Sequence, residues 1–342
     1  MDRALILPGP GELRLEEIEV GEPGPDEVRV RILASGVCHS DLHALESGFA
    51  ARYPLLLGHE GAGEIEAVGV GVDSARVGER VVLGWRQACG ECGPCLRGEP
   101  RRCERARRAG RRLRWNGRKL NQFLVTGTFA TRTVVHAGQA VAVPAELPVE
   151  QACLIGCAVA TGVGSVLNTA RVWPGARVAV IGCGGVGLSV VQGARLAGAS
   201  EILAVDLDGR KLEQARALGA TAAADALEGE HDFVFDVVGA PATFGAAVEA
   251  LAHNGTAVLV GVPGGGAARA GLDRLFDRRL TITVSHGGDH LPSEDFPRLA
   301  RHALAGELDL AALVTKTIAL EDVPEAFEEM RRGETIRSVV LL

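Results

Sequence analysis

The chain has 342 residues, of which 47% are hydrophobic and 23% charged, and a formal net charge of −7. That length exceeds what one hydrophobic core usually spans and predicts two domains, while the acidic balance excludes a general attraction to nucleic acid or anionic membranes. No apolar run approaches the roughly 18–20 residues that cross a bilayer, and MDRALILPGPGELRLEE lacks a signal peptide's apolar core and cleavage site, so a cytoplasmic location is expected.

The first 150 residues read as short β segments broken by Gly and Pro. EVRVRILASGVC, GAGEIEAVGVGV and ERVVLGW alternate or run apolar with many valines and isoleucines. The stretch Arg101–Lys119 is locally basic and reads as a solvated loop face. From about Gln151 the texture changes. QACLIGCAVATGVGSVLNTA has helix-like apolar spacing, RVAVIG reads as a buried strand, and CGGVGLSVVQGARLAGA as a helix. EILAVDLD, the helical GRKLEQARALGA, DFVFDVVG, the helical ATFGAAVEALAHNG, TAVLVGVPG and LTITVSH continue the alternation. Strands alternating with helices imply βαβ crossovers and a parallel sheet. DFPRLARHALAGEL and VPEAFEEMRRGE then read as helices. IRSVVLL reads as a last strand that returns to the first domain, making that domain discontinuous.

Eight cysteines need explanation in a reducing compartment, where thiols serve metals or catalysis rather than disulfides. Cys89, Cys92, Cys95 and Cys103 stand in CGECGPCLRGEPRRC. Two overlapping C-x-x-C steps with a fourth thiol after a short loop suit a closed, tetrahedral structural zinc site.

Gly182, Gly184, Gly185 and Gly187 form G-C-G-G-V-G. Such a match is weak by itself in a chain with 45 glycines. Here it follows an apolar strand, opens a helix and precedes a second strand ending in Asp206, which is the dinucleotide-binding context. The helix N-terminus offers N–H donors to a pyrophosphate. Asp206 lies about 20 residues on, where a carboxylate accepts from an adenosine ribose and repels a 2′-phosphate, favouring NAD over NADP. Arg210 and Lys211 soften that inference; the alternative, that Asp206 merely caps the next helix, ranks well behind it given the surrounding motif.

GVCHSDLH carries Cys38, His39, Ser40, Asp41 and His43; LLLGHEGAGEI carries His59 and Glu60; GCAVATGVGS carries Cys157. Together with the cysteine loop and the glycine motif, the chain resembles the zinc-dependent alcohol dehydrogenases of the medium-chain dehydrogenase/reductase superfamily, from GVCHSDLH to IRSVVLL. The resemblance implies an α/β fold: a GroES-like, β-rich catalytic domain and a Rossmann doubly wound parallel sheet. The expected boundaries are 1–158 with a zinc lobe at about 86–110, 159–285 for the dinucleotide domain, and 286–342 for the return. It implies two Zn²⁺ per subunit and NAD. Cys38, His59 and Cys157 match the catalytic zinc ligands, a Cys₂His set that is a known pattern for this enzyme class; Glu60 matches an acidic neighbour that approaches the metal, and Asp41 the carboxylate orienting the histidine. Ser40 and His43 match the ends of a proton relay, and Trp85 a substrate-pocket aromatic. Thr161 and Val186 match residues lining the nicotinamide. His39, Lys211, Val260 and Arg337 match further cofactor contacts, His39 and Arg337 at the pyrophosphate. Zinc in such a site acidifies an alcohol so that its carbon gives up a hydride.

The substrate implied is a small alcohol or aldehyde, with no nucleic-acid or membrane partner, in a homodimer or homotetramer. GWRQACGECGPC, TVVHAGQ and the IRSVV ending also resemble bacterial thiol-dependent formaldehyde dehydrogenases, mycothiol- or glutathione-linked. The shortened region between Trp115 and Phe129 and the departure at VSHGGDH rank the thiol adduct second. A non-catalytic NAD-binding structural protein ranks third, against intact ligands and relay. Cys153, one helical turn before Cys157, is either a stray ligand or, more simply, a small buried apolar residue. Cys183 occupies the variable position of the glycine motif and is expected to be inert.

Overall fold

The computed structural model describes residues 2–105, 109–110 and 112–342. It forms two compact units, Met1–Cys157 with Leu291–Leu342, and Ala158–His290.

In chain order the first unit contains β1 (Asp2–Leu7), β2 (Arg14–Val20), β3 (Glu27–Gly36), α1 (His39–Ser47), β4 (Leu55–Leu56), β5 (Glu60–Val68), β6 (Arg80–Leu83), α2 (Gly93–Leu96), β7 (Leu113–Trp115), β8 (Arg118–Lys119), β9 (Asn121–Gln122), β10 (Arg132–His136), β11 (Ala140–Ala142) and α3 (Val149–Ala152). The second contains α4 (Ala158–Gly164), β12 (Arg177–Ile181), α5 (Gly185–Leu196), β13 (Glu201–Val205), α6 (Gly209–Ala217), β14 (Ala222–Ala224), β15 (His231–Asp236), α7 (Pro241–Glu249), β16 (Leu251–Leu259), α8 (Leu272–Asp277) and β17 (Thr281–Val284). The chain then returns to the first unit with α9 (Pro292–Leu304), β18 (Lys316–Ile318), α10 (Val323–Arg331) and β19 (Ser338–Leu341).

β3 organises the first unit. Its period-two pattern buries Val28, Val30 and Ile32 against Ile65, Val81, Leu83 and Val135, while Arg29 and Arg31 stay on the other face. There Arg31 lies opposite Glu64 and pairs with it at 2.5 Å. One edge of β3 pairs with β5 and the other is shared by β10 and the terminal β19. In this unit β19 lies antiparallel to β3, with Val339 opposite Gly36 and Val340 opposite Ser35.

The second unit is a parallel sheet in the order β14-β13-β12-β15-β16-β17, the 3-2-1-4-5-6 arrangement of dinucleotide folds. The strand order reverses between β12 and β15, and the glycine motif follows β12. Residues 286–290, expected in the return segment, belong to this unit. Asn168 Nδ2 donates to the Gly288 carbonyl (3.1 Å) and Thr169 Oγ1 to Asp289 Oδ2 (2.7 Å).

Two expected helices are corrected. The stretch 151–170 is not continuous: a 3₁₀ turn over Cys153–Gly156 ends at Cys157 (φ −142°, ψ −71°), α4 restarts at Ala158, and a π-helix covers Ser165–Ala170. The helix expected through 255 ends at Glu249. Leu251 is buried and pairs with His231, which draws the chain into β16. The basic stretch is also corrected in part. Arg101 is held on Asp295, which is nearly fully buried, and Arg112 Nε donates to Glu27 at 2.7 Å, so these two arginines anchor rather than merely solvate. Arg107, Arg108 and Arg111 lie outside the described residues.

Candidate metal centres and dinucleotide site

Three separate pieces of chain in the first unit converge on one buried cluster. The turn after β3 supplies Cys38, the start of β5 supplies His59 and Glu60, and the helix break supplies Cys157. Their ligand atoms all lie within 4.8 Å of one another. Asp41, on the first turn of α1, fixes two of these pieces. Its Oδ1 lies 3.2 Å from His59 Nδ1 and accepts from the Gly58 N–H (2.9 Å), and its Oδ2 accepts from the Cys38 N–H (3.3 Å). With Nδ1 committed to a carboxylate, Nε2 is left as the ligating atom. That Nε2 is buried and makes no hydrogen bond.

The electrostatics of the cluster call for a cation. A hydrogen bond from Cys157, helped by Arg337 and His59, holds the Cys38 thiol well below its usual range, and the same bond with burial pushes Cys157 up. Burial would lower His59, but Asp41 and Cys38 outweigh it and hold the imidazole above its ordinary value. Burial pushes Glu60 up to about 8 against the pull of Arg337. A divalent cation on two sulfurs and one imidazole would take over the role that protons play here. The donor set therefore fits zinc.

Arg337 is delivered by β19. Its Nη1 donates to the Val37 carbonyl (2.8 Å) and lies 3.5 Å from Glu60 Oε1, with only 3% of the residue exposed. Sequence spacing gave no sign that this arginine would stand beside Glu60, because the two are joined only by the pairing of β19 with β3. Ser40 is half-buried, its Oγ 3.9 Å from Cys38 Sγ. His43 is half-buried one turn further along α1, and His39 is exposed at its start. Trp85, half-buried just after β6, has the Arg86 guanidinium 5.8 Å from its ring centroid. Cys153 is not in the cluster; its thiol donates to the Glu150 carbonyl (3.4 Å).

Cys89, Cys92, Cys95 and Cys103 form the other cluster among the described residues, again with all ligand atoms within 4.8 Å. Backbone N–H groups aim at the sulfurs: Cys92 N at Cys89 Sγ (3.3 Å), Glu91 N at Cys89 Sγ (3.4 Å), Cys89 N and Arg105 N at Cys103 Sγ (3.3 and 3.4 Å). Such donors favour thiolate over thiol. The Cys95 N–H leads the groups that bring Cys92 down to about 6, and the Glu91 N–H those that lower Cys89. Four sulfurs with no other ligand suit a closed structural site.

In the second unit the glycine motif forms the turn between β12 and α5. Gly182 has φ +93°, and a side chain on Gly187 would meet the Gly182 carbonyl at 1.8 Å, so both positions require glycine. At Gly184 a Cβ would meet nothing within 4 Å, which leaves the backbone open to a pyrophosphate at the N-terminus of a 12-residue helix. Asp206 Oδ2 accepts from the Cys183 N–H at 2.7 Å, tying the end of β13 to that turn. Val186 and Lys211 are half-buried on α5 and α6, Val260 is half-buried after β16, and Thr161 is buried on α4. These residues fit a dinucleotide.

Residues 24–145 match the family model "Alcohol dehydrogenase GroES-like domain" and residues 185–305 match "Zinc-binding dehydrogenase". Alcohol dehydrogenase 6 of Peromyscus maniculatus is 35% identical over 99% of this chain and 97% of its own length. Benzyl alcohol dehydrogenase from Acinetobacter calcoaceticus superposes with a TM-score of 0.92 at 30% identity, covering 100% of this chain and 99% of that one. An acetophenone reductase from Geotrichum candidum in complex with NAD (TM-score 0.85, 27% identity, 100% and 97% covered) and a zinc-binding dehydrogenase from Sinorhizobium meliloti bound to NADP (0.86, 25%, 100% and 99%) share the fold. With its two thiolate-rich clusters and its glycine turn, the chain belongs to the zinc-dependent alcohol dehydrogenases of the medium-chain dehydrogenase/reductase superfamily.

Proposed function

We propose that the protein interconverts a primary or secondary alcohol and its aldehyde or ketone with NAD as hydride acceptor, and that it carries one catalytic and one structural zinc. The observation that carries this is the buried Cys38, His59, Glu60 and Cys157 cluster, with His59 Nδ1 fixed on Asp41 and Nε2 unpartnered. Cys38, His59 and Cys157 would hold the catalytic zinc, with Glu60 close by. The metal supplies Lewis-acid polarisation of the substrate oxygen.

The chain's own residues do the rest. Asp41 orients His59. Ser40 would take the substrate's hydroxyl proton while giving up its own, and His43, half-buried one turn further along α1, would be the base that returns a proton to solvent. Trp85 offers an apolar wall to the substrate. Asp206 binds the adenosine ribose, and Thr161, Val186, Val260, Lys211, His39 and Arg337 complete the cofactor contacts. Arg337 also lies 3.5 Å from Glu60, where its charge opposes the burial that pushes that carboxyl up. Self-association is supported by β17, which ends its sheet and leaves Ile282 and Val284 exposed. No single described helix is long and apolar enough to cross a membrane.

The test is Cys38→Ser. It should lose one of two zinc equivalents by elemental analysis and abolish alcohol-dependent NADH formation while NAD still binds. Turnover retained at near wild-type rate would remove the assignment. The same assay run with formaldehyde and low-molecular-weight thiols addresses the thiol-adduct reading, which the alcohol dehydrogenase relatives do not favour; strict thiol dependence would reinstate it.

A further inference from the structure

Asp206 does not stand alone at the end of β13. Its Oδ1 accepts from the Asp208 N–H (3.0 Å) while Oδ2 holds the glycine turn. Asp208 in turn caps α6, its Oδ1 accepting from the Arg210 N–H at 2.9 Å. The same carboxylate also takes the Arg210 side chain, Nε on Oδ1 at 3.1 Å and Nη2 on Oδ2 at 2.8 Å. The guanidinium is thus folded back onto its own helix N-terminus, although its side chain is 72% exposed. Lys211 is near enough for its charge to oppose the burial that pushes the Cys183 thiol up and to add to the Arg210 bonds that hold the Asp208 carboxyl down. Two carboxylates and two cations therefore gather beside the turn and balance.

The cap does not explain why position 208 is an aspartate, because Asn or Ser caps about as well. Stability does not explain it either, because an exposed ion pair contributes little. What only a carboxylate does is occupy the arginine fork. A planar guanidinium beside the ribose is the group that would receive a 2′-phosphate, and that phosphate brings a charge of about −2.

We infer that Asp208 withholds Arg210 from a 2′-phosphate, so that discrimination against NADP belongs to the Asp206 and Asp208 pair and not to Asp206 alone. This rests on the dinucleotide reading of the glycine turn. Asp208→Asn keeps the cap and removes the carboxylate from the Arg210 fork, leaving one carboxylate against two cations.

The test uses the full-length, zinc-loaded protein and the variants Asp208→Asn, Arg210→Ala and the double variant. Calorimetry measures binding of 5′-AMP and of 2′,5′-ADP, and kcat/KM is compared for NAD and NADP. Asp208→Asn should tighten 2′,5′-ADP about tenfold relative to 5′-AMP and raise the NADP to NAD ratio about as much, the scale of one charge acting on a phosphate at contact in water. The gain should vanish in Asp208→Asn/Arg210→Ala. An unchanged ratio in a folded Asp208→Asn protein overturns the inference, as does a gain that survives removal of Arg210. If Asp208→Asn fails to fold, Asp208→Ser carries the same test. Wild-type protein that binds neither 5′-AMP nor NAD overturns the dinucleotide reading, and the inference with it; retained 5′-AMP binding with no 2′-phosphate effect overturns the inference alone.

Discussion

At the scale of single residues, the legible part of the site was chemical type and the illegible part was partnership. Cys38, Asp41 and His59 stood out through the family resemblance that GVCHSDLH and LLLGHEGAGEI carry, since a cysteine or histidine alone near a strand end reads as packing. That Asp41 would hold the Gly58 and Cys38 N–H groups as well as His59 depends on the fold bringing α1 beside residues 58 and 59, which no spacing encodes. This triple role makes Asp41 the sharpest residue-level test. Asp41→Asn can still accept from one N–H, but it loses the charge that orders the imidazole. The affinity of the buried site for zinc should fall by about 10–100-fold, read by competition with a chromophoric chelator against the unchanged four-cysteine site. Equal affinity in wild type and variant would leave Asp41 a merely structural residue.

Elements were legible where a single period ruled them. β3, β5 and the alternating strands and helices of the second unit follow from period-two or near-continuous apolar runs. The stretch around Cys157 was not legible, because its apolar spacing suits a helix throughout while the backbone breaks at one residue to turn a thiol toward His59. The cysteine lobe behaves oppositely: its four ligands sit within 15 residues of one another in sequence, so local spacing encodes nearly all of it. What spacing missed was its anchor, Arg101 on Asp295 of α9. Cys95→Ser should therefore reduce zinc from two equivalents to one and lower the melting temperature, while the single-turnover hydride-transfer rate of the surviving folded protein stays near wild type. A variant with full zinc and stability but a slowed transfer step would contradict a structural role. A second element-scale test concerns the junction of β12 and β15, where the Arg177 N–H donates to Asp232 Oδ2 at 2.8 Å and its guanidinium to Oδ1 at 3.2 Å. Burial raises the Asp232 carboxyl, but Arg177 more than offsets this and leaves it below the ordinary value. Its stabilisation is therefore present above the unfolded pKa of about 4 and is lost as the pH falls through the lower folded value. The melting-temperature gap between wild type and Asp232→Asn should narrow from pH 6 to pH 3; a constant gap would place the effect in packing instead.

For the molecule as a whole, the order of elements announced a discontinuous domain around a parallel sheet, and the terminal strand does lie on β3. What a sequence pattern cannot distinguish is a strand buried in the middle of a sheet from one at its edge. LTITVSH reads as one more strand of the alternation; β17 ends the sheet order and its apolar side chains face solvent, with Ile282 44% and Val284 60% exposed. α8, just before it, exposes Leu272 at 81% and Phe276 at 83%. Natural edge strands usually carry charge, proline or a covering element to prevent pairing. In β17 the four residues are Thr, Ile, Thr and Val, with none of these protections in the strand itself. An open main-chain edge of this kind is self-complementary under a two-fold axis, since two copies can pair antiparallel and cover each other's apolar residues. The proposed self-association therefore predicts a specific dependence. Ile282→Lys combined with Val284→Lys should shift the mass measured by light scattering from a multiple of the chain to the 35.7 kDa monomer without changing zinc content. The wild type running as a monomer at micromolar concentration, or the charged variant keeping its assembly, would move the interface away from β17.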